Sequence, residues 1–111
     1  MFLPNARVDY RGAGGPLLSG AEAPTWLEEN MAKFQTLQHF VSNVRVSQEG
    51  DEVRSAAYVH AVHGYKADDG SMRFFDLGGE YNDRLLETSA GWRISERVLT
   101  TKWLRGDIPG A

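Results

Sequence analysis

Apolar positions along the chain recur in two rhythms. Between Ala23 and about Leu37 the apolar residues Trp26, Leu27, Met31 and Phe34 stand at helical spacing and predict one amphipathic helix. Pro24 suits its first turn, and Glu28 and Glu29 are expected near the positive end of its dipole. The stripe itself reads as core packing. From Leu37 onward the period changes to two. Leu37 to Ser47, Glu52 to Lys66, Ser71 to Thr88 and Trp92 to about Trp103 read as successive strands. Gln48-Glu49-Gly50-Asp51, Ala67-Asp68-Asp69-Gly70 and Thr88-Ser89-Ala90-Gly91 are the turns between them. Four such strands predict an antiparallel meander.

The stretch before the helix is shorter and less regular. Ala6 to Tyr10 carries strand-type Val8 and Tyr10, and the Gly-rich segment Arg11 to Gly20 ends it. Gly12, Gly14 and Gly15 are not followed by Lys-Ser/Thr, so a plain turn is expected rather than a phosphate loop. Gly78 and Gly79, inside a strand, mark a bulge or bend. A sheet bent there wraps around a helix and leaves a cone with one open mouth, a shape suited to a small ligand. The fold class is therefore α+β: a curved antiparallel sheet around a helix, as one domain over residues 1–111.

Composition narrows the functions available. The chain has 111 residues, a net charge of −3 and no basic stripe, so nucleic-acid binding is not expected. No apolar run approaches the ~18 residues a membrane helix needs. Met1 to Asn5 lacks the basic start and apolar middle of a signal peptide. With no cysteine, there is no disulfide scaffold, thiol nucleophile or thiolate metal site, and a cytoplasmic location is expected.

Four stretches resemble the SnoaL-like branch of the nuclear-transport-factor-2-like superfamily, which folds as a cone-shaped, cystatin-like barrel. They are Phe2-Leu3-Pro4-Asn5-Ala6-Arg7-Val8-Asp9-Tyr10, Thr36-Leu37-Gln38-His39-Phe40-Val41-Ser42-Asn43, Gly79-Glu80-Tyr81-Asn82-Asp83-Arg84 and Gly91-Trp92-Arg93-Ile94. Relatives carry about two helices ahead of the first stretch. This chain begins at that stretch, so either an N-terminally shortened form or a cover supplied by a partner chain is expected, with apolar surface uncovered on the chain itself. The resemblance implies a pocket for a small hydrophobic molecule and, through the outer face of the sheet, self-association as a dimer or trimer. It also implies cofactor-independent dehydration or isomerisation of a cyclic, polyketide- or steroid-like substrate. A non-catalytic ligand-binding or assembly module is the alternative.

Candidate chemistry centres on His39, which shares a face with Leu37, Val41 and Asn43 by alternation. Dehydratase-like relatives place a catalytic His at the matching position. An imidazole near pKa ~6.5 can take a proton from a carbon next to a carbonyl or give one to a leaving hydroxyl. A buried His satisfied by a neighbour would look the same in sequence. Asp9 stands roughly where isomerase-like relatives carry their base, and an apolar wall would raise its pKa; a turn-capping role serves it equally. Asn43 could bond a substrate oxygen or a sheet backbone group. Ala57, Val59, Ala61, His63 and Tyr65 share a face, with Ala57 and Ala61 leaving room and His63 near the rim. Relatives carry a polar partner near Ala57 that is missing here. Candidate substrate contacts are Asn43, Val41, Ala57, Val59, His63 and Tyr81. His60 falls on the opposite face from His63, which argues against a metal site. Asp83 and Arg84 are read as a charge pair, and Trp92 and Ile94 as core against the helix.

Overall fold

A computed structural model describes residues 1–109. The chain forms β1 (Phe2–Asp9), a 3₁₀ turn (Arg11–Ala13), β2 (Leu17–Ser19), α1 (Ala23–Met31), β3 (Thr36–Glu49), β4 (Glu52–Lys66), β5 (Met72–Thr88) and β6 (Gly91–Gly106). The six strands make one curved sheet in the order β2-β1-β6-β5-β4-β3. β3 to β6 form the expected meander, with Gly50, Gly70 and Gly91 at positive φ where the hairpins turn. The result is an α+β fold in which a curved sheet wraps one helix.

Three features depart from the sequence reading. The sheet is mixed, because β1 lies parallel to β6. The chain can reach that arrangement because α1 and the whole meander intervene between the two strands. The Gly-rich stretch holds the 3₁₀ turn and the short strand β2 rather than turn alone. The helix ends at Met31, so Phe34 lies beyond it and Glu28 and Glu29 fall in its second half, away from the N-terminal turn. A reciprocal pair starts the helical turn instead. The Glu22 backbone N–H donates to Ser19 Oγ at 3.2 Å, and the Ser19 N–H donates to the Glu22 carboxylate at 3.0 Å.

Gly78 and Gly79 sit at a register shift between β5 and β6, so the expected bulge is present. Both positions crowd an added side chain. A Cβ on Gly78 would meet the Trp103 indole, and one on Gly79 would meet the Thr100 carbonyl. The bend brings the inner face of the sheet around α1. The core there is built from Ala6, Val8, Tyr10, Ala23, Val59 and Leu99, with Trp26, Leu27 and Tyr81 against it. Val8 is fully buried, worth about 1.5–3 kcal/mol for a side chain of its kind. Ile94 is core, as expected, but Trp92 is exposed near the tip of the β5–β6 hairpin, beyond the reach of the helix.

No helix among the described residues is long and apolar enough to cross a membrane.

Candidate functional site

The bend, α1 and the 3₁₀ turn enclose a cavity of about 290 Å³. The helix side contributes Trp26, Leu27 and Met31. The sheet contributes His39, Val59, Ala61, His63, Phe75, Leu77, Tyr81 and Leu99, and Tyr10 enters from the end of β1. The lining is mostly apolar, and its residues with polar side-chain groups are His39, His63, Tyr10, Tyr81, Trp26 and Asn30. Strand alternation explains the sheet contribution. His39 pairs with Ala61, and His63 with Phe75, so β3, β4 and β5 each present alternate residues to the same side.

Two histidines meet at this wall. The His39 and His63 rings lie 5.9 Å apart between centroids, edge to face. His63 stacks on Phe75 at 4.2 Å with an interplanar angle of 2°, and Phe34 closes on its edge at 5.0 Å. Burial pushes the His39 pKa below its ordinary 6.5, although its edge strand keeps part of the residue open to solvent. Burial also lowers that of His63. Repulsion from His39 adds to this, and the nearby Phe75 backbone pulls the other way. Both imidazoles are therefore neutral at pH 7. His63 Nδ1 is buried with no hydrogen-bond partner among the described residues.

At the closed end two phenols face the cavity. Tyr10 stacks on Trp26 at 5.6 Å, and the Arg97 guanidinium lies over the Tyr81 ring at 4.1 Å. Burial pushes both phenol pKa values up, so they remain donors. Arg97 is itself held by Asp83, and the pair is mostly buried.

The structure gathers His39, Val59, His63 and Tyr81 around one cavity and leaves the other expected residues outside it. Asp9 is a correction. Val8 and Tyr10 take the inner face of β1, so alternation turns Asp9 away. There it accepts hydrogen bonds from the Arg11 N–H, Nε and Nη2 at 3.1, 3.0 and 2.9 Å. Those bonds bring its pKa down from 3.8 to about 2, opposite to the raised value expected of a proton shuttle. Asn43 is a second correction. It has φ 52° at a bulge between Ser42 and Arg45, and this breaks the alternation that placed it beside His39. Val41 keeps the alternation but is 55% exposed, past the end of the cavity. Ala57 is buried opposite Tyr81 and does not reach the space.

The charge pairing also differs. Adjacent strand residues point to opposite faces, so Asp83 cannot pair with Arg84. Asp83 binds Arg97 across the hairpin, and Arg84 meets Glu52 and Glu96 on the outer face. Hairpin symmetry about Thr88–Gly91 would have set Glu96 opposite Asp83; the register shift between Arg84 and Leu85 moves the pairing by one residue and brings Arg97 there, so this pair had no signal in the sequence. Tyr10 had none either, since only the parallel pairing of β1 with β6 brings it to the cavity. His60 lies on the outer face, as expected. Its Nε2 is 2.9 Å from the Asp76 carboxylate, which also accepts from Arg105 Nη2 at 3.0 Å. No group of three potential metal ligands occurs among the described residues.

A family model described as a SnoaL-like domain matches residues 1–98. The uncharacterized protein Rv2910c of Mycobacterium tuberculosis is 30% identical over 100 residues, covering 90% of this chain and 67% of that protein. Among solved structures, the Kfla4162 protein from Kribbella flavida superposes with a TM-score of 0.82 at 22% identity. The match covers 95% of this chain and 74% of that one. A putative scytalone dehydratase from Novosphingobium aromaticivorans superposes with a TM-score of 0.79 at 23% identity, covering 99% and 72%. The chain belongs to the SnoaL-like domain family.

Proposed function

We propose that the cavity binds a small, largely apolar cyclic molecule and that His39 moves a proton on it, giving dehydration or isomerisation without a cofactor. The observation that carries this reading is the pair of imidazoles on one wall of an apolar cavity, where burial lowers the pKa of each. A neutral His39 is ready to accept a proton from a carbon next to a carbonyl. The resulting imidazolium can return that proton to the shifted carbon or to a departing hydroxyl. His63, with an unpartnered Nδ1 and a ring fixed by Phe75, is placed to bond a substrate oxygen. The phenols of Tyr10 and Tyr81 are donors for a developing oxyanion. The putative scytalone dehydratase from Novosphingobium aromaticivorans, which shares this fold, is named for dehydration.

One observation favours the alternative, a ligand-binding module without chemistry: among the described residues no carboxylate side chain lines the cavity, and Asp9 faces away from it. The two readings separate in one experiment. A panel of cyclic β-hydroxyketones is incubated with the native protein and with His39→Ala, and water loss is followed by absorbance. A fall of about 10²-fold in the variant supports proton transfer by His39. Binding of panel members with no turnover by the native protein supports the module.

A further inference from the structure

We propose that the outer face of the sheet carries a site for a small planar aromatic carboxylate, its ring among Phe40, Tyr58 and Trp103 and its charge on Lys102. The proposal stands independently of the proton-transfer reading, because this site lies across the sheet from His39.

A groove of about 470 Å³ runs over the face of the sheet turned away from α1. That volume is in the range of small-ligand sites. Its walls are Phe40 from β3, Tyr58 and His60 from β4, and Lys102 and Trp103 from β6. Where β5 crosses it, Gly78 and Gly79 put no side chain into the space.

The register sets the aromatic wall. Phe40 pairs with His60, His60 with Gly78, and Gly78 with Trp103. The Phe40 and His60 rings lie 6.0 Å apart between centroids, and the His60 and Trp103 rings 5.4 Å. A Cβ at Gly78 would meet the indole, so the glycine is what lets Trp103 lie over β5. Phe40, Tyr58 and Trp103 all remain more than 40% exposed.

The bulge supplies the charge. Gly78 pairs with Trp103 and Gly79 with Thr101, so Lys102 is the extra residue. In a regular strand Lys102 and Trp103 would point to opposite faces. The bulge re-aims the chain, and both line the groove. The other charges nearby are matched. Asp76 accepts from Arg105 at 3.0 Å and lies 2.9 Å from His60, and Arg45 meets Glu80 at 3.7 Å. Lys102 has no such partner among the described residues, which leaves a positive charge unmatched in the groove.

The ligand's chemistry follows from these groups. Arg45 and Arg105 already lie over the Tyr58 and Trp103 rings, at 5.1 and 5.2 Å, and fill the positions that a ligand cation would take. A planar ring can still meet Phe40 and the exposed parts of Tyr58 and Trp103. A carboxylate on that ring gives Lys102 the counter-charge it lacks.

Nitrogen–proton NMR of the full chain, titrated to about 5 mM with 2-naphthoate and separately with 2-naphthamide, tests this. The expected result is saturable shifts at the Trp103 indole N–H and the amides of Gly78, Gly79 and Lys102. The native chain should bind the carboxylate about three- to fivefold more tightly than the amide, the scale of an exposed ion pair. Lys102→Met should erase that difference, and Trp103→Leu should weaken both ligands about tenfold. No shift at those positions overturns the proposal. So do shifts confined to Trp26 and His63, which would place the ligand in the inner cavity. So does equal affinity of the native chain for the two ligands, or a preference for the carboxylate that survives in Lys102→Met. Peak dispersion in the same spectra confirms that the variants are folded.

Discussion

Arg97 and Asp83 meet through two parallel hydrogen bonds, from Nε to Oδ1 at 2.9 Å and from Nη2 to Oδ2 at 2.8 Å. They face each other directly across the β5–β6 ladder. The pair fixes the guanidinium under the Tyr81 ring and so shapes the closed end of the cavity. Removing one partner leaves an uncompensated charge in a mostly buried place. Asp83→Ala should cost about 3 kcal/mol, read as a shift in the denaturant midpoint. A change below about 0.5 kcal/mol would mean that water reaches Arg97 and the cavity end is open.

The glycine bend should resist substitution unequally. Gly79→Ala sets a Cβ against the Thr100 carbonyl, which is fixed in the sheet, and should destabilise by about 1–3 kcal/mol. Gly78→Ala meets only the Trp103 indole, which is half exposed and free to swing outward. It should cost less and shift tryptophan emission to longer wavelength. Equal costs for the two variants would contradict the assignment of the bend to the β5–β6 bulge.

Asp9 should show its own acid limb. Its folded pKa, about 2, lies below the ordinary 3.8. A depressed carboxylate contributes its stability above the unfolded value and loses it as pH falls through the folded one. The midpoint difference between the native protein and Asp9→Asn should be constant above about pH 4 and shrink between 3.8 and 2. A difference centred well above pH 4 would restore Asp9 as a raised carboxyl.

The histidines give a second, higher window. The folded pKa of each is lowered from 6.5 by burial. Between the folded and unfolded values the unfolded chain binds more protons. Stability is therefore fully present above 6.5 and declines as pH falls below it. His63→Phe keeps the stack on Phe75 and removes the titration, so it should flatten that decline. An unchanged slope would show that His63 is solvated.

How far the sequence reveals this protein follows from the length scale of each signal. The β3 to β6 meander is legible because hairpins depend on neighbouring residues. The period of two, the Gly turns and the Gly78-Gly79 pair all lie within a few positions of what they determine. His39 and His63 reach one cavity because alternation holds without interruption from Thr36 to Ser42. Asn43 escapes because one bulge resets the alternation, and a left-handed residue is not marked by an Asn alone. Asp9 and Tyr10 were judged as strand-end residues. Which of them faced inward depended on the parallel pairing of β1 with β6, a contact between distant parts of the chain. Composition and local period do not encode such contacts.

The most direct measurement is hydrogen–deuterium exchange at the acidic carbon of a bicyclic ketone such as 2-tetralone, followed by proton NMR in heavy water with and without protein. Proton removal by imidazole 39 predicts acceleration by the native chain and loss of most of it, about 10²-fold, in His39→Phe. Equal exchange rates in the two proteins would contradict the account.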